Sequence, residues 1–322
     1  MNREAFESQY ADDWGRLGKL LDRLEASGSR RHEPVRAGEF PELYRRVCHH
    51  LALARVRRYG TDLEQRLNRL VLRGHHQLYR GRAISWSRIG EFFAAEFPRR
   101  VRAEGRLFQL CLVLFFGPLF AMMFFTSQQP ELIYTVMDPT AVEGFEEMYD
   151  PQTDRDRDAA SDVLMFGVYI YNNIGIAFRT FAGGILFGIG SIVILIYNGL
   201  AIGSVIGYVD GLGYAATLYP FIVGHGAFEL TAIVLAGASG LKLGLSVVAP
   251  GRRRRIRALV AAGRDSIRLV YGIVGLLVVA AFIEAFWSSA TLVPPEVKYL
   301  FGALAWSAVA AYFLLAGRDR GA

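Results

Sequence analysis

The stretch Val163 to Val209, VLMFGVYIYNNIGIAFRTFAGGILFGIGSIVILIYNGLAIGSVIGYV, decides the fold, because one or two crossings of an apolar layer here set the direction of everything downstream. It is apolar except at Asn172, Asn173, Arg179, the pair Gly183-Gly184 and Asn198. A helix rises 1.5 Å per residue and needs about 20 residues to cross a ~30 Å hydrocarbon core. Val163 to Phe178 is short by that measure and reads as a tilted or re-entrant helix if it does not span fully. A single crossing would leave Arg252 to Arg255 and Arg257 outside, against the preference of basic residues for the cytoplasmic side. Two crossings, turning near Arg179 to Gly184, bring them back inside.

The rest of the chain agrees with the second arrangement. Leu107 to Phe125 is apolar except for Gln109 and follows Arg99, Arg100, Arg102 and Arg106. Beyond it, Ser127 to Asp162 carries ten acidic residues against Arg155 and Arg157, so this acidic segment is expected outside. Further spans are expected at Phe221 to Val248, Leu269 to Trp287 and Tyr299 to Ala316. Six crossings then leave Arg318 and Arg320 inside with both termini cytoplasmic. The expected fold is an all-α, polytopic membrane helix bundle over residues 106–322, preceded by a small basic cytoplasmic helical domain over residues 1–105.

Composition supports the division. The chain is 52% hydrophobic yet carries a net charge of +6, and its arginines cluster before Gly105 and at the ends of apolar blocks. Lysine occurs only at positions 19, 242 and 298, so the arginine excess reads as codon usage. Basic clusters abutting apolar spans face lipid headgroups, and no nucleic-acid partner is expected. Cys48 and Cys111 imply no disulfide framework. Met1 to Arg58 contains no uninterrupted apolar h-region of a signal peptide.

In the soluble part, Phe6, Tyr10, Trp14, Leu17, Leu21 and Leu24 form one helical stripe ending near Gly28. Glu33 to Pro41 reads as a loop, and Leu43, Val47, Leu51 and Ala54 resume helical spacing. Thr61 and Glu64 have the form of a capping box before Leu63, Leu67, Leu70 and Leu78. Ile89, Phe92, Phe93 and Phe97 make a fourth apolar face, expected to lie on the membrane surface. His49-His50 and His75-His76 read as solvated helix faces, since adjacent residues point about 100° apart on a helix.

Within the spans, His225 and Glu229 lie four apart and share a helix face. Glu284 is a third ionisable group, and Arg179 is its natural partner in charge. Such groups cost roughly 2.5–3.5 kcal/mol at the bilayer centre even on a lenient insertion scale. Asn172, Asn173 and Asn198 add amides expected to bond across helices. Three readings compete: a structural polar network, a transport pathway, and a metal-assisted hydrolase, the last disfavoured by the single membrane histidine and the lack of an evident third ligand. No catalytic residue, metal or cofactor is assigned. Gly183, Gly188 and the tandem Gly199-x-x-x-Gly203-x-x-x-Gly207 are read as close helix packing.

Across about Pro98 to Ser288 the chain resembles the stage II sporulation protein M family, through FPRRVR (97–102), YIYNNIGIAFRTFAGGILFGIGSIVILIYNGLAIG (169–203), GHGAFELTAIVLAGASGLKLG (224–244) and AFIEAFWS (281–288). The resemblance implies a multi-pass protein of the bacterial inner membrane. The family's namesake acts with peptidoglycan hydrolases in spore formers as a membrane component, and the long N-terminal extension resembles a non-sporulation branch. The expected function is a noncatalytic scaffold of an envelope-remodelling complex, contacting lipids and envelope proteins, with homo-oligomerisation left open. The alternative is a transporter or permease component.

Overall fold

A computed structural model describes residues 2–26, 39–78, 86–153 and 159–318, all helices and turns with no strand among them. The chain forms two compact units, Met1–Ser85 and Trp86–Ala322.

The first unit contains α1 (Arg3–Ala26), α2 (Glu39–Val56) and α3 (Thr61–Leu78). The stripe read from the sequence is its core: Phe6, Trp14, Leu17 and Leu21 bury against Leu43, Val47, Leu63 and Leu67. Helix α2 begins at Glu39, earlier than expected, while Gly28 and residues 33–38 of the expected loop lie outside the described residues. Thr61 opens α3, and the Glu64 amide donates to the Gly60 carbonyl, with Gly60 at φ +108° making the turn.

One expectation fails here. His50 is not a solvated residue: it is buried, and Trp14 Nε1–H donates to its Nδ1 at 3.2 Å. An indole nitrogen only donates, so the accepting Nδ1 carries no proton. Burial pushes this imidazole below its ordinary pKa.

The second unit starts with α4 (Trp86–Glu91), a π-helical segment Phe92–Glu96, and α5 (Phe97–Ala103). The division between units therefore falls near residue 85, ahead of the expected 105. The reason is the phenylalanine face, expected on the membrane surface. Phe97 is fully buried in one core with Leu269, Ile273, Leu277 and Phe313, and Phe92 and Phe93 pack against it. Gly272 and Gly275 make room, since a Cβ on them would stand 2.1 Å from Phe97 and 2.6 Å from Phe93.

Then follow α6 (Gly105–Gln128), α7 (Pro139–Tyr149), α8 (Ala159–Ala182), α9 (Ile189–Gly211), α10 (Ala215–Val248), α11 (Arg255–Phe282, continued by a π-helical segment Ile283–Ser288) and α12 (Pro295–Leu315). Five of these, α6, α9, α10, α11 with its extension, and α12, are long and apolar enough to cross a membrane. Asn172, Asn173 and Arg179 lower the hydropathy of α8. It is nonetheless one uninterrupted helix of 24 residues, about 36 Å long, rather than the short segment expected.

Helix direction alternates through the bundle. At one end Glu104 meets Lys242, Arg102 meets the end of α12, and Gly188 abuts Gly244. At the other, Tyr149 meets Thr217 and Ser288 meets Lys298. Arg99, Arg100, Arg102, Arg252 to Arg255 and Arg318 belong to the first end; Arg320 lies outside the described residues. The fold is an all-α polytopic membrane bundle, and its outward faces carry exposed Val113, Phe120, Leu164, Val193 and Leu300, as a lipid-facing surface requires.

Helix α10 is the hub. Its stretch Thr231 to Leu241 is buried throughout, which small residues at Ala232, Ala236, Gly237, Ala238 and Gly240 permit. The glycine ridge of α9 lies on α6: a Cβ on Gly199, Gly203 or Gly207 would stand 2.4, 2.2 or 2.2 Å from the carbonyl oxygen of Phe115, Leu119 or Met123. The α8–α9 turn is equally close, with Gly183 against Gly190 and Gly188 at φ +85°.

The acidic segment Ser127 to Asp162 is not an open loop. A 3-10 turn at Pro130–Thr135 and helix α7 form a cap, in which Ile133, Val142 and Tyr149 bury against Val205, Val209 and Leu218. Tyr208 donates to Glu146, and Thr217 donates to the Tyr149 carbonyl at 2.6 Å. Asp138 caps α7 by accepting from the Thr140 amide and hydroxyl, which hold its carboxyl below the usual range. Arg155 and Arg157 lie outside the described residues.

Candidate functional site: a buried His-Glu-Glu cluster beneath the cap

Three ionisable side chains of the bundle come together. His225 and Glu229 stand one turn apart on α10, where helical spacing puts them on one face. Glu284 enters from the π-helical end of α11; such a segment changes the phase of the side chains beyond it and is frequent at functional sites. Potential donor atoms of the three all lie within 4.8 Å of one another. His225 Nε2 is 3.9 Å from Glu229 Oε2, and its Nδ1 is 3.2 Å from Ser288 Oγ. His225 and Glu284 are buried and Glu229 is partly so.

A cavity of about 540 Å³ lies between the cap and the ends of α10, α11 and α12; none of the three clustered residues lines it, but two neighbours of His225 do. Glu147, Tyr149 and Thr217 line it on the cap side, and Phe221, Ser288 and Lys298 on the inner side. Phe221 packs its ring 5.4 Å from that of His225, so both Phe221 and Ser288 join the cavity wall to the cluster. Lys298 is itself buried and donates to the Ser288 carbonyl at 2.7 Å.

The other polar residues singled out in the sequence lie elsewhere. Arg179 is exposed in the last turn of α8 and forms no ion pair among the described residues, so it is not the partner of Glu284. Helices α8 and α11 run antiparallel, with Tyr169 packed on Ala281 and Ala285. Ten residues on, Arg179 is about 15 Å further along, at the arginine-rich end. Asn198 does not bond across helices: its Nδ2 donates to Ile194 O at 2.7 Å in its own helix. Asn172 donates to Asn173 Oδ1 at 3.3 Å, and the buried Asn173 Nδ2 finds no acceptor among the described residues.

A family model described as Stage II sporulation protein M matches residues 111–289, more than half of the chain. The chain belongs to the stage II sporulation protein M family. The matched region contains the cap, the glycine ridge, the three clustered residues and Ser288, whereas Lys298 and α12 lie beyond it. A second model, described as a domain of unknown function (DUF8413), matches residues 4–80, the three-helix unit. An uncharacterized protein of Methanocaldococcus jannaschii is 29% identical over 123 residues, covering 38% of this chain and 69% of the relative. No solved structure matches the chain.

As a stage II sporulation protein M family member, the chain carries two site residues that its sequence did not single out as such, Ser288 and Lys298. Lys298 sits just before the apolar run of α12, where it reads as a boundary residue. Its signal was rarity, one of three lysines in the chain, at the start of a helix whose remaining charge is Glu296. Ser288 follows Glu284 by four residues, a spacing whose meaning depends on the π-helical turn.

Proposed function

We propose that this family member is a noncatalytic scaffold of an envelope-remodelling complex, held in the cytoplasmic membrane with both termini on the cytoplasmic side. The observation that carries this reading is the cap. A mobile tether would not need Tyr208, Thr217 and a buried apolar face to fix it on α9 and α10. What the fixed cap turns outward is acid: Glu131, Asp138, Glu143 and Glu147 are all exposed. A rigid acidic platform at one end of a lipid-embedded bundle suits a basic surface on an envelope protein, and charge complementarity of this kind sets specificity and association rate. Nucleic acid and cofactors have no part in this reading. Recovery of partners from mildly solubilised native membranes tests it, comparing wild type with Glu131→Gln/Glu143→Gln/Glu147→Gln. Loss of envelope proteins from the triple variant supports the scaffold; equal recovery argues against the cap as the docking face.

The cavity favours a second reading, a transporter or permease component whose polar pathway includes His225, Glu229 and Glu284. It requires flux in proteoliposomes that Glu229→Gln or Glu284→Gln abolishes.

A further inference from the structure

We propose that His225, Glu229 and Glu284 form a binding site for one first-row divalent cation, reached from the cap side through the cavity. The donor set is one imidazole nitrogen and two carboxylates from two different helices, with donor atoms already within 4.8 Å of one another. Four-coordinate zinc with bonds of about 2.0–2.1 Å holds its ligand atoms roughly 3.3 Å apart, so the 3.9 Å between His225 Nε2 and Glu229 Oε2 closes with a shift of about half an ångström. The widest separation in the cluster, at most 4.8 Å, closes by up to about 1.5 Å, within the reach of rotating carboxylate side chains.

Two further observations point the same way. Metal-bound histidines orient their ring by bonding the other nitrogen to a fixed partner, and His225 Nδ1 stands 3.2 Å from Ser288 Oγ while Nε2 faces Glu229. Charge also balances, because a divalent ion bound by a neutral imidazole neutralises the two carboxylates. Mixed nitrogen and oxygen donors suit Zn²⁺ or Mn²⁺ over Mg²⁺. Water from the cavity completes the coordination past Phe221 and Ser288, and exposed Glu147 at the outer rim draws cations in. The site clamps α10 to the end of α11 whether or not a protein docks on the cap, so it stands apart from the scaffold reading.

The test uses the full-length, untagged chain in detergent, treated with chelator, reloaded with Zn²⁺ or Mn²⁺ and passed through a gel-filtration column. Elemental analysis is expected to find about one ion per chain, with affinity falling about 100-fold or more in Glu284→Gln and His225→Asn. A His75→Gln/His76→Gln variant and Glu143→Gln should keep the ion. Retention of no ion by wild type, or equal retention by the cluster variants, overturns the proposal. Should the cluster variants fail to fold, X-ray absorption of the zinc-loaded wild type decides: oxygen ligands with one imidazole support the site, and sulfur or several imidazoles place the ion elsewhere and refute it.

Discussion

Gly203 of α9 lies so close to Leu119 of α6 that a methyl group on it would stand 2.2 Å from the Leu119 carbonyl oxygen. With no Cβ in the way the two backbones touch, and association in lipid depends on such packing because burial from water offers no drive there. Gly203→Ala should therefore destabilise the bundle by about 1–3 kcal/mol, the usual range for overpacking. Thermal aggregation in detergent is the measurement. Gly117→Ala on the same α6, where a Cβ meets nothing within 4 Å, should leave the midpoint unchanged or slightly raised.

Arg102 closes the arginine-rich end of the bundle. Its Nη1 donates to Phe313 O at 2.8 Å and its Nη2 to Ala316 O at 2.7 Å, satisfying carbonyls that the last turn of α12 leaves unpaired. Arg102→Met should speed hydrogen exchange over the final turn of α12 by an amount equivalent to about 2–3 kcal/mol. Lysine at this position should restore only part of the protection, because one ammonium does not reproduce the guanidinium fork.

The three-helix unit should be acid-sensitive through His50. Burial lowers its pKa from 6.5; Asp13 pulls it back up, and His49 and Arg46 push it further down. The unfolded chain then binds more protons than the folded one below about pH 6.5, so stability is full above that pH and falls as pH drops toward the lowered value. Hydrogen exchange of α1 to α3 in the full chain, corrected for intrinsic rates, should show less protection at pH 5 than at pH 7.5. His50→Gln should flatten that difference.

Orientation has its own check. In a chain with Cys48→Ser and Cys111→Ala, Glu143→Cys on the cap should react with a membrane-impermeant thiol reagent added outside intact cells. Arg253→Cys should react only after permeabilisation. The reverse pattern would turn the protein over and place the acidic platform in the cytoplasm.

The sequence revealed most of the bundle because hydropathy and arginine placement are local signals, and lipid makes them strong. The turn that divides Val163 to Val209 into α8 and α9 was legible from charge alone, whereas α8 is not among the five helices apolar enough to cross. What stayed hidden was non-local. The cap depends on Val142 meeting Val205 and Val209, contacts between segments more than 60 residues apart that no periodicity reports. Phe93 and Phe97 looked like a membrane-surface face because Gly272 and Gly275, which receive them, lie on a distant helix. The pairing of His225 with Glu229 was legible from helical spacing, whereas the arrival of Glu284 beside them depends on helix adjacency and on a π-helical turn. Arg179 was misassigned for the same reason: opposite charge suggests a pair, but antiparallel packing of α8 on α11 puts it at the basic end.

The central claim, that the fixed acidic cap is a docking face, is tested most directly by photocrosslinking in living cells from a photoreactive residue at Glu143. The scaffold account predicts a discrete adduct with an envelope protein, lost when Glu131 and Glu147 are changed to Gln. A chain that yields no adduct from the cap and is recovered from native membranes as a lone monomer would contradict it.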